Sequence, residues 1–348
     1  MLLAKFLRKP SLASQSFPVP QILSRAVSNY GSLDSALVNP NFIDVALSQL
    51  LKNKKAKKND VNEFIDHFKT KMNRQNFISM LRGCRRRHVL EPRHIYTAAC
   101  GLKYAEDEPL NSMQLDQIFH SISFMSHRVA SVRVLLTVTS EALNDCEDKF
   151  TIDQVANYMF SLIHMKSGVP EVREMVRVLM IKLAASEESI SNDSASKLIG
   201  GFHGLSCKYP EVRQALAAVL QQLDTHSSSS SFSEAEASRA LFGMKRLSPE
   251  YADVQKLTSY VLSNSETSTM RMSSHQVSQA ILAVQSMDTD AQEAKSLFRF
   301  LTQQVEQLEE GGKPLVSKNV KEVLAALGAA TVNTEEVNAL TAALKAKE

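Results

Sequence analysis

The fold of this chain can be predicted from one stretch, Tyr158-Met-Phe-Ser-Leu-Ile-His-Met165, and from the segment Val169-Pro-Glu-Val-Arg173 that follows it. Tyr158, Leu162 and Met165 are spaced by four and three residues. Residues at these spacings share one face of an α-helix. Pro170 and Glu171 then suit the first turn of a second helix, because proline loses no hydrogen bond there and the acid favours the positive end of the helix dipole. The stretch therefore predicts a helix–turn–helix unit.

The pattern recurs along the chain at a near-constant spacing. Taking the last apolar position of each pattern as an anchor gives six anchors, separated by 40, 40, 42, 40 and 40 residues. The positions three and seven residues before each anchor are apolar. The position four residues before it is small in five of the six units, which would let a neighbouring helix come close. The anchors are Met125, Met165, Leu205, Leu247, Met287 and Leu327.

The first part of the chain fits the pattern less well. Gly83 can be taken as the small position of a degenerate unit whose anchor is Arg87, with Pro92 five residues further on. Residues 42–73 resemble one more hairpin. We therefore predict an all-α protein, a right-handed α-solenoid of about seven or eight helix–turn–helix repeats of ~40 residues. A non-repetitive helical bundle is the alternative, which the constant spacing disfavours.

A family resemblance rests on the stretches quoted above and on Ala240-Leu-Phe-Gly-Met-Lys-Arg-Leu-Ser248. They resemble the degenerate α-helical repeats of organellar RNA-metabolism proteins, which include the octatricopeptide and heptatricopeptide classes, and their period is similar to that of HEAT and armadillo repeats. The resemblance covers residues 75–345 at the level of the repeat pattern. It implies a role in RNA handling or RNA–protein assembly, and it implies no catalysis.

The first residues have the composition of a targeting segment. Residues 1–33 contain Lys5, Arg8, Lys9 and Arg25 and no acid, and they are rich in serine. A basic, amphipathic start of this kind is typical of a mitochondrial presequence, and it leaves a plastid address or a simple basic terminus as alternatives. We predict a presequence over residues 1–33, a basic helical cap over 34–74, a repeat array over 75–348 and a location in the mitochondrial matrix. No apolar run reaches the length that a membrane span needs.

The charge is unevenly distributed. Residues 50–100 hold 13 basic and 4 acidic side chains, whereas residues 101–348 hold 23 basic and 31 acidic ones. Cations that converge can neutralise a phosphate backbone, and arginine adds bidentate donors. A solvated loop or a docking site for an acidic protein is the alternative. The predicted RNA-binding residues are Lys52, Lys54, Lys55, Lys57, Lys58, Arg82, Arg85, Arg86, Arg87 and Arg93.

Aromatic residues lie among these charges. Phe64, Phe68, Phe77 and Tyr96 could stack on bases, but the helical spacing of the three Phe residues favours a place in the core. Arg133, Arg173 and Arg213 form a separate ladder, each eight residues after its anchor. The ladder could follow a phosphate backbone, but pairing with neighbouring acids is the favoured alternative.

Motifs of catalysis do not occur in the sequence. It contains no phosphate loop, no GxSxG and no HExxH, and its histidines and cysteines do not pair at metal-ligand spacing. We predict no catalytic residues, no metal, no cofactor and no small-molecule substrate. The expected function is that of a non-catalytic RNA-binding or scaffold subunit of a mitochondrial RNA-processing or RNA-editing assembly or a mitoribosome, with RNA and other protein subunits as partners. The alternatives are a pure protein scaffold, such as an accessory subunit of a respiratory or ATP synthase complex, and an array that binds one transcript by itself.

Overall fold

A computed structural model describes residues 40–52, 58–85, 90–104, 108–226, 231–265, 270–287, 291–309, 313–329 and 334–347. Within these ranges the chain forms sixteen α-helices and short 3₁₀ turns, and it contains no β-strand. The prediction of an all-α protein is therefore confirmed. The predicted presequence, residues 1–33, lies outside the described residues.

The chain divides into two compact units, which meet in sequence at Glu147 and Asp148. The predicted boundary after residue 74 lies at the start of the helix Arg74–Leu81, within the first unit, and it stays a prediction. The helices of the first unit are α1 (Pro40–Lys52), α2 (Lys58–Phe68), α3 (Arg74–Leu81), α4 (Pro92–Tyr104), α5 (Ser112–Ile122) and α6 (Ala130–Asp145).

The second unit contains ten helices within its described residues. They are α7 (Ile152–Ser161), α8 (Pro170–Ala184), α9 (Asn192–Gly200), α10 (Pro210–His226), α11 (Glu234–Gly243), α12 (Ala252–Ser263), α13 (Ser274–Ala280), α14 (Gln292–Glu306), α15 (Ser317–Gly328) and α16 (Glu335–Ala346).

Six of the helices that open a helix–turn–helix repeat (its first helix), namely α3, α5, α7, α9, α11 and α13, start at a capping side chain that we did not predict, whereas α15 starts without one. An Asn, Ser or Thr side chain accepts a hydrogen bond from the backbone N–H three residues on, and in five of the six cases a reciprocal bond completes a capping box. Each such cap stabilises a helix by about 1 kcal/mol. All six lie 14 residues before an anchor, including the degenerate one at Arg87. The caps are Asn73, Asn111, Thr151, Ser191, Ser233 and Ser273.

The second helices begin where the prolines predicted. Pro170 and Pro210 are the first residues of α8 and α10, and Pro92 is the first residue of α4. Proline is tolerated at this position because the first amide of a helix has no intrahelical partner.

Helices two apart along the chain pack against each other. In the second unit α7, α9, α11 and α13 contact one another in sequence, and α8, α10, α12, α14 and α16 do the same. In the first unit α3 contacts α1 and α5, and α4 contacts α6. First helices and second helices therefore form separate rows within the second unit.

The predicted apolar face forms much of the core. Every residue seven before an anchor is buried, and so are the anchors except Met287, which is half-buried. The last helix–turn–helix repeat departs from the pattern, because Leu324 is half-buried and Val323 is buried in its place. Burial of one such side chain contributes about 1.5–3 kcal/mol, so the repeated face supplies a large share of the stability.

The small position allows close helix approach, as predicted. A Cβ added at Gly243 would lie 2.6 Å from the Cα of Gly200 and closer still to the carbonyl oxygen of Ile199. A Cβ at Gly201 would lie 2.6 Å from the carbonyl oxygen of Met159. Because these neighbours are backbone atoms, no side-chain rotation can relieve the clash.

Gly243→Ala should therefore destabilise the protein by about 2–3 kcal/mol, since α11 would have to move away from α9. Gly328→Ala is the matched control, because a Cβ there meets nothing within 4 Å. The control should be neutral or up to about 1 kcal/mol more stable. Urea unfolding followed by circular dichroism measures both, and equal effects of the two substitutions would contradict the close-approach argument.

His203, in the 3₁₀ turn Gly201–Gly204 that follows α9, contacts α11. Its ring stacks on Phe242 with 3.8 Å between the ring centroids, and its Nδ1 lies 2.9 Å from the carbonyl oxygen of Phe242. Burial lowers the pKa of His203 to about 4, and the positive charges of Lys245 and Arg246 act in the same direction. The ring is therefore neutral at neutral pH and donates from Nδ1.

Because the pKa of His203 is lowered by folding, its stabilising effect is complete above pH ~6.5 and is lost as the pH falls toward ~4. Between pH 7 and pH 5 the wild type should lose about 2 kcal/mol more than His203→Asn, which keeps a donor but does not titrate. Urea titrations at the two pH values measure this difference. Parallel losses in the two proteins would show that His203 does not control the acid sensitivity.

Candidate nucleic-acid interface

The predicted basic residues, called the basic end below, belong to the first unit, and the structure describes part of them. Lys58, Arg82 and Arg93 have described side chains, all exposed. Lys52 ends α1, and Arg85 ends the 3₁₀ turn that follows α3. Lys54, Lys55, Lys57, Arg86 and Arg87 lie outside the described residues.

Helix packing brings the end of α1 close to the 3₁₀ turn Arg82–Arg85. Gly83, in the 3₁₀ turn Arg82–Arg85, lies so close to Leu51 at the end of α1 that an added Cβ would be 3.0 Å from its Cδ2. The same Cβ would be 3.2 Å from Leu90, just before α4. The segment that begins at Lys52 and the turn that carries Arg82 and Arg85 therefore start from adjacent points.

Two acids hold the cations on the neighbouring helices. Asp66 on α2 pairs with Arg93 at 3.0 Å and with Lys69 at 3.5 Å. Glu91, just before α4, pairs with Arg93 at 2.8 Å and with Lys58 at 3.8 Å. These ion pairs fix the position of Arg93 while its side chain remains 61% exposed.

A buried histidine completes this group. His94 is 1% exposed, and its Nε2 lies 3.3 Å from Asp66 Oδ1. Burial lowers the pKa of His94, and Asp66 opposes that effect. Burial acts to raise the pKa of Asp66, but His94, Arg93 and Lys69 together bring it below its usual value. At neutral pH the group therefore contains a neutral imidazole and an ionised carboxylate.

Two arginines near this end make different contacts. Arg82 Nη2 donates to Gln117 Oε1 on α5 at 2.7 Å and remains exposed. Arg74 is 4% exposed, and its Nη1 donates to the carbonyl oxygen of Glu108 at 2.5 Å. Arg74 is therefore a structural residue, whereas Arg82 can still meet a ligand.

The aromatic residues separate as expected. Phe64, Phe68 and Phe77 are buried, which confirms that they belong to the core. Tyr96 is 53% exposed on α4. Sequence reasoning missed Tyr104, which is 75% exposed on the same helix, although its spacing of eight residues from Tyr96 was a visible signal.

The ladder arginines of the second unit contact their own loops. Arg173 pairs with Glu211 at 3.2 Å, donates to the carbonyl oxygen of Ser167 at 2.8 Å and lies over the ring of Tyr209. Arg213 donates to the carbonyl oxygen of Cys207 at 2.7 Å. These contacts favour a structural role, and a phosphate-binding role of the ladder stays a prediction.

Arg133, the ladder residue of the first unit, is exposed on α6. Gln255 occupies the ladder position of a later repeat, in the second unit. Its side-chain amide donates to the carbonyl oxygen of Pro249 at 2.9 Å. An uncharged residue can therefore make the loop contact that Arg173 and Arg213 make, which indicates that the contact needs a donor more than a charge.

Comparisons with known proteins do not assign this chain to a family. The chain matches no protein-family model and no curated protein. None of the described helices combines the length and the hydropathy that crossing a bilayer requires. Among the same residues, no three His, Cys, Asp or Glu side chains come together in a group that could hold a metal ion.

Asp66→Asn should make the protein more sensitive to mild acid. The pKa of His94 is already lowered, so stability falls as the pH drops below ~6.5. Without the carboxylate the imidazolium loses its counter-charge, and the fall between pH 7 and pH 5 becomes steeper. Urea unfolding at both pH values tests this. The control Asp145→Asn, at an exposed position that ends α6, should lose as much stability between the two pH values as the wild type. An equal loss for Asp66→Asn would show that its pair with His94 has no energetic role.

Proposed function

We propose that the protein is a non-catalytic, RNA-binding subunit of a mitochondrial RNA-processing or RNA-editing assembly or of a mitoribosome. In this proposal the helical pairs form a right-handed α-solenoid, RNA contacts the basic end of the first unit, and the second unit docks other protein subunits. The close approach of Leu51, Gly83 and Leu90, which are neighbours in sequence of the two basic segments, is the observation that carries the proposal.

The net charge differs between residues 50–100 and the second unit, which supports separate binding roles for the two regions. Residues 148–348 hold 20 basic and 24 acidic side chains, whereas residues 50–100 hold 13 and 4. Nucleic-acid binding draws most of its free energy from cations that replace the counterions of phosphates. A net acidic surface disfavours RNA and suits contacts with proteins. The composition of residues 1–33 supports the mitochondrial location.

A pure protein scaffold is the second candidate, and one observation favours it. The ladder arginines of the second unit, Arg173 and Arg213, donate hydrogen bonds to loop carbonyls, and Arg173 also forms an ion pair with Glu211. In that case the basic end would bind an acidic protein.

The triple variant Arg85→Glu, Arg86→Glu and Arg87→Glu should weaken binding of single-stranded RNA at least tenfold and leave helicity unchanged. The slope of log affinity against log salt should also fall, by about 2, if all three contact phosphates of a single strand. Fluorescence anisotropy of a labelled RNA at several salt concentrations measures both quantities.

The matched control reverses three exposed cations of the second unit, Lys256, Arg271 and Lys321, to Glu. This change in charge is identical, so a loss of affinity confined to the first variant would locate the RNA at the basic end. Equal affinity of both variants and the wild type would contradict the proposal and favour the scaffold.

A further inference from the structure

One face of α4 is exposed within the part of the chain that the structure describes. The helix buries His94, Ile95, Ala98, Ala99 and Leu102. Its opposite side exposes two tyrosines and two cations, and Cys100 lies half-buried between the tyrosines. The exposed residues are Arg93, Tyr96, Lys103 and Tyr104.

Exposed aromatic rings are concentrated in the basic unit. Among the described residues seven large apolar or aromatic side chains are exposed, and five of them, including Tyr96 and Tyr104, belong to the first unit. In the second unit Tyr158 is buried, and arginine guanidinium groups lie over the rings of Tyr209 and Tyr251. In the first unit Lys103 also lies over a ring, that of Tyr104, but Tyr104 remains 75% exposed and Tyr96 53% exposed. Exposed rings beside cations are the combination that binds unpaired bases, because any base can stack on an aromatic face while cations neutralise the phosphates.

The spacing of the tyrosines suits two stacked bases. Tyr96 and Tyr104 are eight residues apart, which is about 12 Å along an α-helix. Arg93 lies almost one turn before Tyr96. Asp66 and Glu91 contact its Nη2 and Nε, and neither contact uses Nη1. Lys103, held 2.8 Å from Glu141, lies over one face of the Tyr104 ring, with its Nζ 5.8 Å from the ring centroid. Each tyrosine therefore has a positioned cation nearby.

We propose that this outer face of α4, defined by Arg93, Tyr96, Lys103 and Tyr104, is a stacking platform for single-stranded RNA. One base stacks on Tyr96 and another on Tyr104, and Arg93 binds a phosphate between the platform and the basic end. The inference rests on the proposed function, since the RNA held by the basic end supplies the strand. The platform accepts any unpaired base and rejects a duplex, whose bases are already stacked.

Tryptophan fluorescence provides a direct test, because the chain contains no Trp. Tyr96→Trp and Tyr104→Trp each introduce one fluorophore on the platform. Ile181→Trp introduces one at a position of α8 that is 47% exposed, in the other unit. Titration with a twelve-residue oligouridylate should quench the first two and leave the third unchanged. The quenching should follow the binding curve obtained from the anisotropy of the same oligonucleotide carrying a label.

Replacing the rings tests the energetic role. Tyr96→Ala and Tyr104→Ala should each weaken RNA binding about tenfold with the salt slope unchanged, because stacking releases no counterions. Tyr96→Phe and Tyr104→Phe keep the rings and should bind like the wild type. This pattern differs from that of the Arg85, Arg86 and Arg87 reversal, which lowers the slope.

The outcomes separate the platform from the proposed function. If labelled RNA binds the wild type but neither tryptophan is quenched and the alanine variants bind normally, the platform is wrong and the basic end remains. If the wild type binds no RNA, both the platform and the proposed function are wrong. If the alanine variants lose a purified protein subunit while their RNA affinity is unchanged, the face is a protein interface and the proposal is overturned.

Discussion

The close approach of consecutive first helices is the constraint on which the second unit depends. The helical pairs bury their apolar faces against neighbours two helices away along the chain. Gly243 packs against the backbone of Ile199 and Gly200 with no room for a Cβ. This short distance lets the apolar side chains on both sides interdigitate, and it brings the ring of His203 onto Phe242. A backbone contact cannot be adjusted by rotamers, so the spacing of the row is set at these points.

The basic end depends on a similar contact in the first unit. Gly83 lets the turn after α3 lie against Leu51 and Leu90, and the basic segments begin beside these contacts. Repulsion between so many cations is reduced by Asp66 and Glu91, which hold Lys58, Lys69 and Arg93 in defined positions. The acids therefore organise the basic surface as well as lowering its charge.

The two units treat arginine and tyrosine in opposite ways. In the second unit the guanidinium groups of Arg173 and Arg213 cover the rings of Tyr209 and Tyr251 and bind loop carbonyls, so both partners serve the fold. In the first unit the tyrosines of α4 remain 53% and 75% exposed, although Lys103 lies over the ring of Tyr104. The same residue types thus stabilise loops in one unit and leave a surface for a ligand in the other.

The sequence by itself determined the all-helical class, the 40-residue period, the buried face and the proline starts, because these depend on local spacing and on the geometry of one helix. It also contained the capping residues, such as Asn111 and Thr151, at a constant spacing before the anchors. Only the tertiary structure decided which cations are committed to internal contacts. Arg173 and Arg93 look alike in sequence, yet one lies largely covered beside Tyr209 and the other is exposed beside Asp66. The physical reason is that an ion pair forms between residues distant in sequence, and their separation is set by how the helices pack.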